Sequence, residues 1–440
     1  MHDFTRRTLL KGSTAAAAAG MLTGSGLLEW AKAWAQSAPW KPEAGAKLSI
    51  LRWKYFVQSE DDKFVELMKA FTQATGVDVT INRESYEDVQ PKASVAANTG
   101  TGPDLFWGLY SLPHLFPDKV VDMTDVADYL GKKYGPWADS AVKYGKEGNK
   151  WIGIPVCYTG ALMNYRISAS QKAGFKEFPK TTDEFLEYAK AMKKNGTPGG
   201  CAMGHAPGDA NTWLHWCLWA FNGQTVDAND KVIINSPETE KALQYAKQLY
   251  DNMTPGVASW NDSFNNKAFL AEEIHWTNNG ISIYVAASKD ASKKHVAEDM
   301  NHAYMPVGPV GKPTELHLMF PILAMKYSKY PNACKALTSY LLEADQFNPW
   351  MAAAGGYLSH CLAAYDANPI WTQDPKRTPY RDVAKRSLTA GGLGSNGEKA
   401  ASAISDYIVV DMFAAFCTGK DDAKTAMRNA ERQLKRIYRT

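Results

Sequence analysis

Between Leu48 and Trp107 three short apolar runs alternate with two helix-period stretches, and this alternation constrains the fold more than any other feature of the chain. Leu48, Ile50 and Trp53 mark a first strand. Phe64, Leu67, Met68 and Phe71 then recur at i, i+3, i+4 and i+7, the spacing of a helix packed on one side. Ser59 is placed to cap that helix, and Gly76 to end it, since Gly takes the left-handed C′ conformation without steric cost. Val77, Val79 and Ile81 alternate as a second strand. A second helix is predicted from about Tyr86 to Asn98, and Leu105, Phe106 and Trp107 make a third, buried strand. Strands joined by helices at this spacing predict a parallel sheet covered on both faces, with right-handed crossovers. Ligands of such sheets gather at the carboxyl ends of the strands, so the residues just after each strand become candidates.

The chain has 440 residues, 45% of them apolar and 22% charged, which is the composition of a globular protein long enough for two to three domains. The net charge of +3 comes from basic and acidic residues spread along the chain, so nucleic acid is excluded as a partner by the lack of a basic block. No run of 18 or more apolar residues marks a membrane span. The N-terminus carries Thr5-Arg6-Arg7-Thr8-Leu9-Leu10-Lys11, then a weakly hydrophobic Ala- and Gly-rich stretch and the small-x-small triplet Ala33-Trp34-Ala35. This pattern predicts a twin-arginine signal peptide over 1–35, with Arg6 and Arg7 addressing the twin-arginine translocase and a mature periplasmic protein starting at Gln36. Its five consecutive alanines, flanked by glycines, offer no amphipathic stripe for a core helix.

Six cysteines lie scattered without a CxxC pair, and no two histidines stand at metal-ligand spacing, so neither a metal site nor a cofactor is expected. Folding before export leaves free thiols and disulfides equally open. No HExxH, GxSxG or P-loop occurs. A GxGxxG at Gly392, Gly394 and Gly397 follows a polar segment where a dinucleotide motif needs a buried strand, and reads as a loop. Thr181 with Glu184 fits a capping box, Ser236-Pro237 opens another helix, and Trp213, Trp216 and Trp219 form a helical stripe typical of a core.

Gly100-Thr101-Gly102-Pro103-Asp104, Trp151-Ile152-Gly153-Ile154-Pro155, Pro179 to Phe185, Ser236-Pro237-Glu238-Thr239, Phe269 to Gly280, Met305 to Pro309 and Gly355-Gly356-Tyr357 follow one another in this order. In that order and spacing the chain resembles family 1 extracellular solute-binding proteins, the sugar-binding components of ABC importers related to maltose-binding protein. The resemblance implies an α/β fold. It is a two-lobed clamshell, each lobe a mixed, mainly parallel sheet flanked by helices, with hinge crossings between them. By analogy lobe I holds 36–157 and 305–353, lobe II holds 158–304 and 354–440, and the first crossing falls near Tyr158.

The implied function is capture of a carbohydrate or polyol by a monomer that closes over it and delivers it to a membrane permease, without catalysis. Ring faces stack on sugar C–H faces and polar side chains bond the hydroxyls. On that basis the candidate ligand-binding residues are Trp53, Tyr55, Glu84, Tyr86, Trp107 and Tyr110 after the first three strands. Tyr158, Asp209, Asn211, Trp213, Asn278 and Tyr357 complete the set across the hinge. Trp107 and Tyr158 are each expected to supply about 1–3 kcal/mol of stacking. The aromatic that many relatives carry after Asn-Gly is replaced by Ile281-Ser282, which favours a small solute over a long oligosaccharide. The alternatives are an exported glycan-active enzyme, or a binder of a non-sugar solute such as a polyamine, an aromatic acid or a phosphorylated polyol.

Overall fold

The computed structural model describes residues 24–439; Arg6 and Arg7 lie outside this range. Nine strands form its two main sheets: β1 (Lys47–Trp53), β2 (Asp78–Glu84), β3 (Leu105–Trp107), β4 (Ile154–Thr159), β5 (Leu162–Arg166), β6 (Trp276–Asn279), β7 (Met300–Ala303), β8 (Leu318–Ala324) and β9 (Ser359–His360). The larger sheet has the order β9-β4-β8-β3-β1-β2 and the smaller the order β6-β5-β7. Each sheet is the centre of one lobe of a clamshell.

Within these two sheets parallel pairing is confined to β1 with β2 and β3, the region where helices link successive strands. The expectation of mainly parallel sheets fails beyond it. Strand β8 runs antiparallel to β3 and β4, β9 runs antiparallel to β4, and the smaller sheet is antiparallel throughout. Strand β8 enters the larger sheet after a long excursion through the other lobe, so no short crossover helix dictates its direction, and β9 follows it through the helices Pro331–Leu341 and Ala344–Ala354.

Several local signals act as the sequence dictates. Gly76 ends the Gln58–Thr75 helix at φ 76° with its N–H bonded to Thr72 O, and Thr181 and Glu184 form a reciprocal capping box on the Thr182–Lys194 helix. Ser236 Oγ accepts from Thr239 N at 3.2 Å. Ser59 does not cap: the helix starts one residue earlier and Ser59 Oγ donates to Ala353 O at 2.6 Å. The helix Gly24–Ser37 packs Leu27, Ala31 and Trp34 into the core, with the Trp34 ring 5.1 Å from that of Tyr340. Those residues do make the apolar stripe that the alanine run lacks, and they lie ahead of the expected mature start at Gln36. The apolar stretch Glu398–Cys417 has the length and hydropathy of a membrane span, but Tyr407 at φ 55° splits it into two helices, and half of it is buried against the protein. All six cysteines are buried and free.

The chain leaves the larger sheet at Thr159, crosses through Gly160 and Ala161, and enters the smaller sheet at Leu162. It returns between Ala303 and Leu318. The two crossings are tied together: Ala161 N donates to His317 Nδ1 at 3.1 Å, and His317 Nε2 donates to Glu315 Oε2 at 3.0 Å. Glu315 also receives Arg386 Nε at 2.9 Å, and the guanidinium stacks 3.8 Å from the centre of the Tyr304 ring. A fully buried Glu315 is tolerable only with such partners.

Beneath the ends of β1 and β3 the core is built on a buried cation. Arg52 is 1% exposed, its Nη2 donates to Glu60 Oε2 at 2.7 Å, and Trp350 Nε1 donates to the other oxygen of Glu60 at 2.9 Å. The guanidinium carbon lies 4.4 Å from the Phe64 ring centre and 4.7 Å from that of Trp107. Trp107 also packs edge-on against Trp53 and Trp350. Truncating a fully buried Trp leaves an aromatic-sized cavity beside a charge. Trp107→Ala is therefore expected to lower unfolding stability by about 3–5 kcal/mol in urea denaturation; a change below about 1 kcal/mol would show that this core is not built around the ring.

Candidate ligand-binding cleft

The β1 and β2 strands of the first lobe end at the crevice between the lobes, and the loops that follow them bring Phe56 and Tyr86 to one wall of a chamber. Asp209, Asp262, Asn279 and Ser282 come from the second lobe, and Thr159, Leu318 and Tyr357 from the crossing region. The chamber measures about 20 Å³, room for about one water molecule, so a sugar-sized solute enters only when the lobes move apart.

Asp209 is the first residue of the Asp209–Ala220 helix, whose N-cap is Gly208. Neither Asp209 nor Asn211 caps this helix. Asp262, from the loop before the Phe264–Leu270 helix, does so from outside: its Oδ1 accepts from Asp209 N at 2.6 Å and its Oδ2 from Gly208 N at 3.3 Å. A Cβ on residue 208 would stand 2.6 Å from Asp262 Oδ1, so only glycine lets the carboxylate approach this closely. Asp209 Oδ2 accepts from Asn265 Nδ2 at 2.7 Å.

Both carboxyls are buried, and both have raised pKa values. Burial lifts Asp209 well above the usual carboxylate range and the charge of Asp262 lifts it further. Burial lifts Asp262 to about 7, opposed by the N–H groups of Asp209 and Gly208. Those two N–H groups favour the Asp262 anion, so Asp262 is the more acidic member of the pair, while burial favours the protonated form of both. The Tyr86 hydroxyl is buried without a partner and is pushed far up by burial and by Asp262.

A second small chamber adjoins, lined by Gln90, Tyr110 and Ser111 from the first lobe, Pro207 and Asn211 from the second, and Ile404, Ser405 and Tyr407 from the C-terminal helices. Tyr110 (φ 46°) and Tyr407 (φ 55°) both sit in the left-handed region, a strained conformation for a bulky side chain. The Tyr110 hydroxyl and Asn211 Oδ1 are buried and unpartnered. Buried polar atoms normally find partners, so three orphans in residues lining these two chambers set them apart as the candidate site. His205 stacks on Tyr407 with ring centres 4.3 Å apart and fixes its orientation. A larger groove, about 520 Å³, lies elsewhere, against the Ile408–Cys417 and Ala423–Tyr438 helices, where His205, Asp411, Lys420 and Arg432 line it. No buried orphan faces that groove among the described residues.

The structure thus brings together Tyr86, Asp209 and Tyr357 in the first chamber, and Tyr110 and Asn211 in the second. The other candidates lie outside both. Trp53 and Trp107 are buried in the core, Trp107 against Phe64 and Trp350 of the helix layer and Trp53 against Phe320 of β8 and Tyr86. Tyr158 turns inward and donates to Ser140 Oγ at 2.8 Å. Trp213 belongs to the interior of its helix and donates to Ala202 O at 2.7 Å, and Asn278 Oδ1 accepts from Thr212 Oγ1 at 2.8 Å in the buried interior. Glu84 pairs with Lys92, and Tyr55 is 44% exposed. Phe56, Asp262, Asn279, Ser282 and Tyr407 are lining residues that sequence reasoning missed. The polar Asn261-Asp262-Ser263 triplet before a helix was the one signal for Asp262.

Comparison with known proteins places this architecture. Residues 66–379, more than half of the chain, match the model of the bacterial extracellular solute-binding proteins. The chain belongs to that family. It is 24% identical over 300 residues to a Deinococcus radiodurans protein named "Probable ABC transporter-binding protein", covering 66% of this chain and 70% of that one. Its fold is similar to that of maltose-bound MalE3 of T. maritima, with TM-score 0.75 and 19% identity over 89% of this chain and all of the other. It is also similar to an Agrobacterium vitis S4 solute-binding protein with bound D-mannitol, with TM-score 0.71 and 16% identity over 90% of this chain and 99% of the other.

Because the Asp209 carboxyl is raised, the folded state binds a proton that the unfolded state releases, and stability is lost as pH rises from the ordinary carboxylate range through the folded value. Asp209→Asn removes this loss. The variant is expected to melt about 2 °C or more above the wild type at pH 8 and close to it at pH 5, as read by differential scanning calorimetry. An equal difference at both pH values would contradict a raised Asp209.

Proposed function

We propose that this chain captures a small carbohydrate or polyol between its lobes in the periplasm and hands the closed complex to an ABC permease, after export through the twin-arginine route. The observation that carries this reading is the pair of interlobe chambers. Carboxyl, amide, hydroxyl and aromatic groups from both lobes converge there, and buried Tyr86, Tyr110 and Asn211 atoms lack protein partners. Hydroxyl-rich solutes offer donors and acceptors together, which suits carboxyls, amides and tyrosines, while Phe56 and Tyr357 provide ring faces for C–H groups. The names of the similar proteins, with bound maltose and bound mannitol, support the same solute class.

Function follows from closure. A solute that touches Tyr86 in one lobe and Asp209 in the other meets both only when the lobes are together, so its binding energy shifts the hinge equilibrium toward the closed form that a permease can recognise. The export route rests on the Arg6-Arg7 signal, and the monomer on the closure geometry, which needs no second copy.

A thermal-shift screen against sugars and polyols tests the reading. A ligand at 100 times its dissociation constant adds about 2.7 kcal/mol of stability, enough for a clear rise in Tm. The solute is expected to return from the mixture unchanged, and its consumption would turn the account toward an enzyme. Phe56→Ala and Tyr86→Phe are expected to weaken the responding solute by about 1–2 kcal/mol in calorimetric titration while preserving Tm of the free protein within a few degrees. Unchanged affinity in both variants would show that this chamber is not the binding site.

A further inference from the structure

The first chamber is rich in acceptors and has no cation. Asp209 and Asp262 approach it from separate segments, at 5% and 6% exposure. Glu87, next to Tyr86, adds its negative field to Asp262. Neither Lys nor Arg lines either chamber among the described residues. Asp262 already takes two backbone N–H groups, but Asp209 Oδ1 has no donor among the described residues, and the buried Tyr86 oxygen is equally unpartnered. Around them stand the rings of Phe56, Tyr86 and Tyr357, the first two edge-to-face at 5.5 Å.

Resting on the carbohydrate reading above, we propose that the solute carries a protonated amine, as an amino sugar or amino polyol does, and that its ammonium group binds between Asp209 and Asp262 beside Tyr86. An ammonium brings three donors and no acceptor, which complements a cluster of carboxylate and phenol oxygens. A neutral hydroxyl brings acceptor lone pairs as well, and some of these would face carboxylate oxygens. Two carboxylates out of water are costly unless a counter-charge meets them, and electron-rich ring faces add further attraction for a cation.

Binding of the cation has a protonic consequence. Burial raises both carboxyls of the free pair and so favours their protonated forms, whereas an ammonium between them favours both ionised, so binding of the cation is coupled to proton release. The titratable groups facing the pair are Glu87, Tyr86, Tyr110, Tyr357 and Tyr407, and no histidine lines the chamber. The tyrosines all stay protonated across the physiological range, since burial raises each of them. Affinity for the amine therefore increases from pH 6 to pH 8, as long as the amine itself stays protonated.

Calorimetric titration of the full exported chain against matched compounds tests this: glucosamine with glucose, galactosamine with galactose, and 1-amino-1-deoxysorbitol with sorbitol. The amino member of at least one pair is expected to bind about tenfold or more tighter than its neutral counterpart. That preference is expected to grow between pH 6 and pH 8 for the amino polyol, and to collapse in Asp209→Asn and in Asp262→Asn. Two variants are used so that a folding defect in one does not decide the outcome. Equal or tighter binding of the neutral member in every responding pair would overturn the amine and leave the carbohydrate reading intact. A preference that survives both substitutions would overturn its placement at the carboxyl pair. Binding of spermidine with no response to any sugar or polyol would overturn the carbohydrate reading itself.

Discussion

The Asp262 carboxyl at the start of the Asp209–Ala220 helix is the contact on which the cleft depends. It satisfies two N–H groups that the helix leaves unbonded, and the helix dipole favours its charge there. It also fixes the first turn of the helix, which carries Asp209 and Asn211 into the crevice, and it does so only because residue 208 has no side chain. The same contact places a second carboxyl beside the first in a buried setting, which costs stability in the free protein. Binding proteins accept such costs where a ligand is to recover them.

The rest of the architecture serves that chamber. The buried Arg52–Glu60 pair, with Phe64, Trp107 and Trp350 around it, holds the ends of β1 and β3 rigid, so the loops that follow present Phe56 and Tyr110 from a fixed base. The crossings, joined through Ala161, His317, Glu315 and Arg386, give the two lobes a short common axis. The C-terminal helices complete the second chamber by setting Tyr407 opposite Tyr110. Closure then brings together groups whose hydrogen-bonding needs the protein alone leaves unmet.

Much of the first lobe is legible in the sequence because its signals are local. The period of Phe64 to Phe71, the stop at Gly76 and the alternation of Val77, Val79 and Ile81 all act within a few residues, and the structure follows them. Direction in the sheets is not local: β8 and β9 pair with strands about 160 to 215 residues away, and no period records this. The rule that residues after strands reach the cleft succeeds for Tyr86 and Tyr110. It fails for Trp53 and Trp107, which are the last residues of their strands and still face the core. Asp262 escapes sequence reasoning because its role is set by a helix that begins 53 residues earlier.

Hydrogen exchange with mass spectrometry, on the protein with and without a solute found by the thermal screen, tests the central claim most directly. If the lobes close over the solute at Asp209 and Asp262, protection rises in the segments 84–90, 207–213, 259–266 and 278–283, from both lobes at once. Protection confined to 411–433, around the large outer groove, with no change at these four segments would contradict the account.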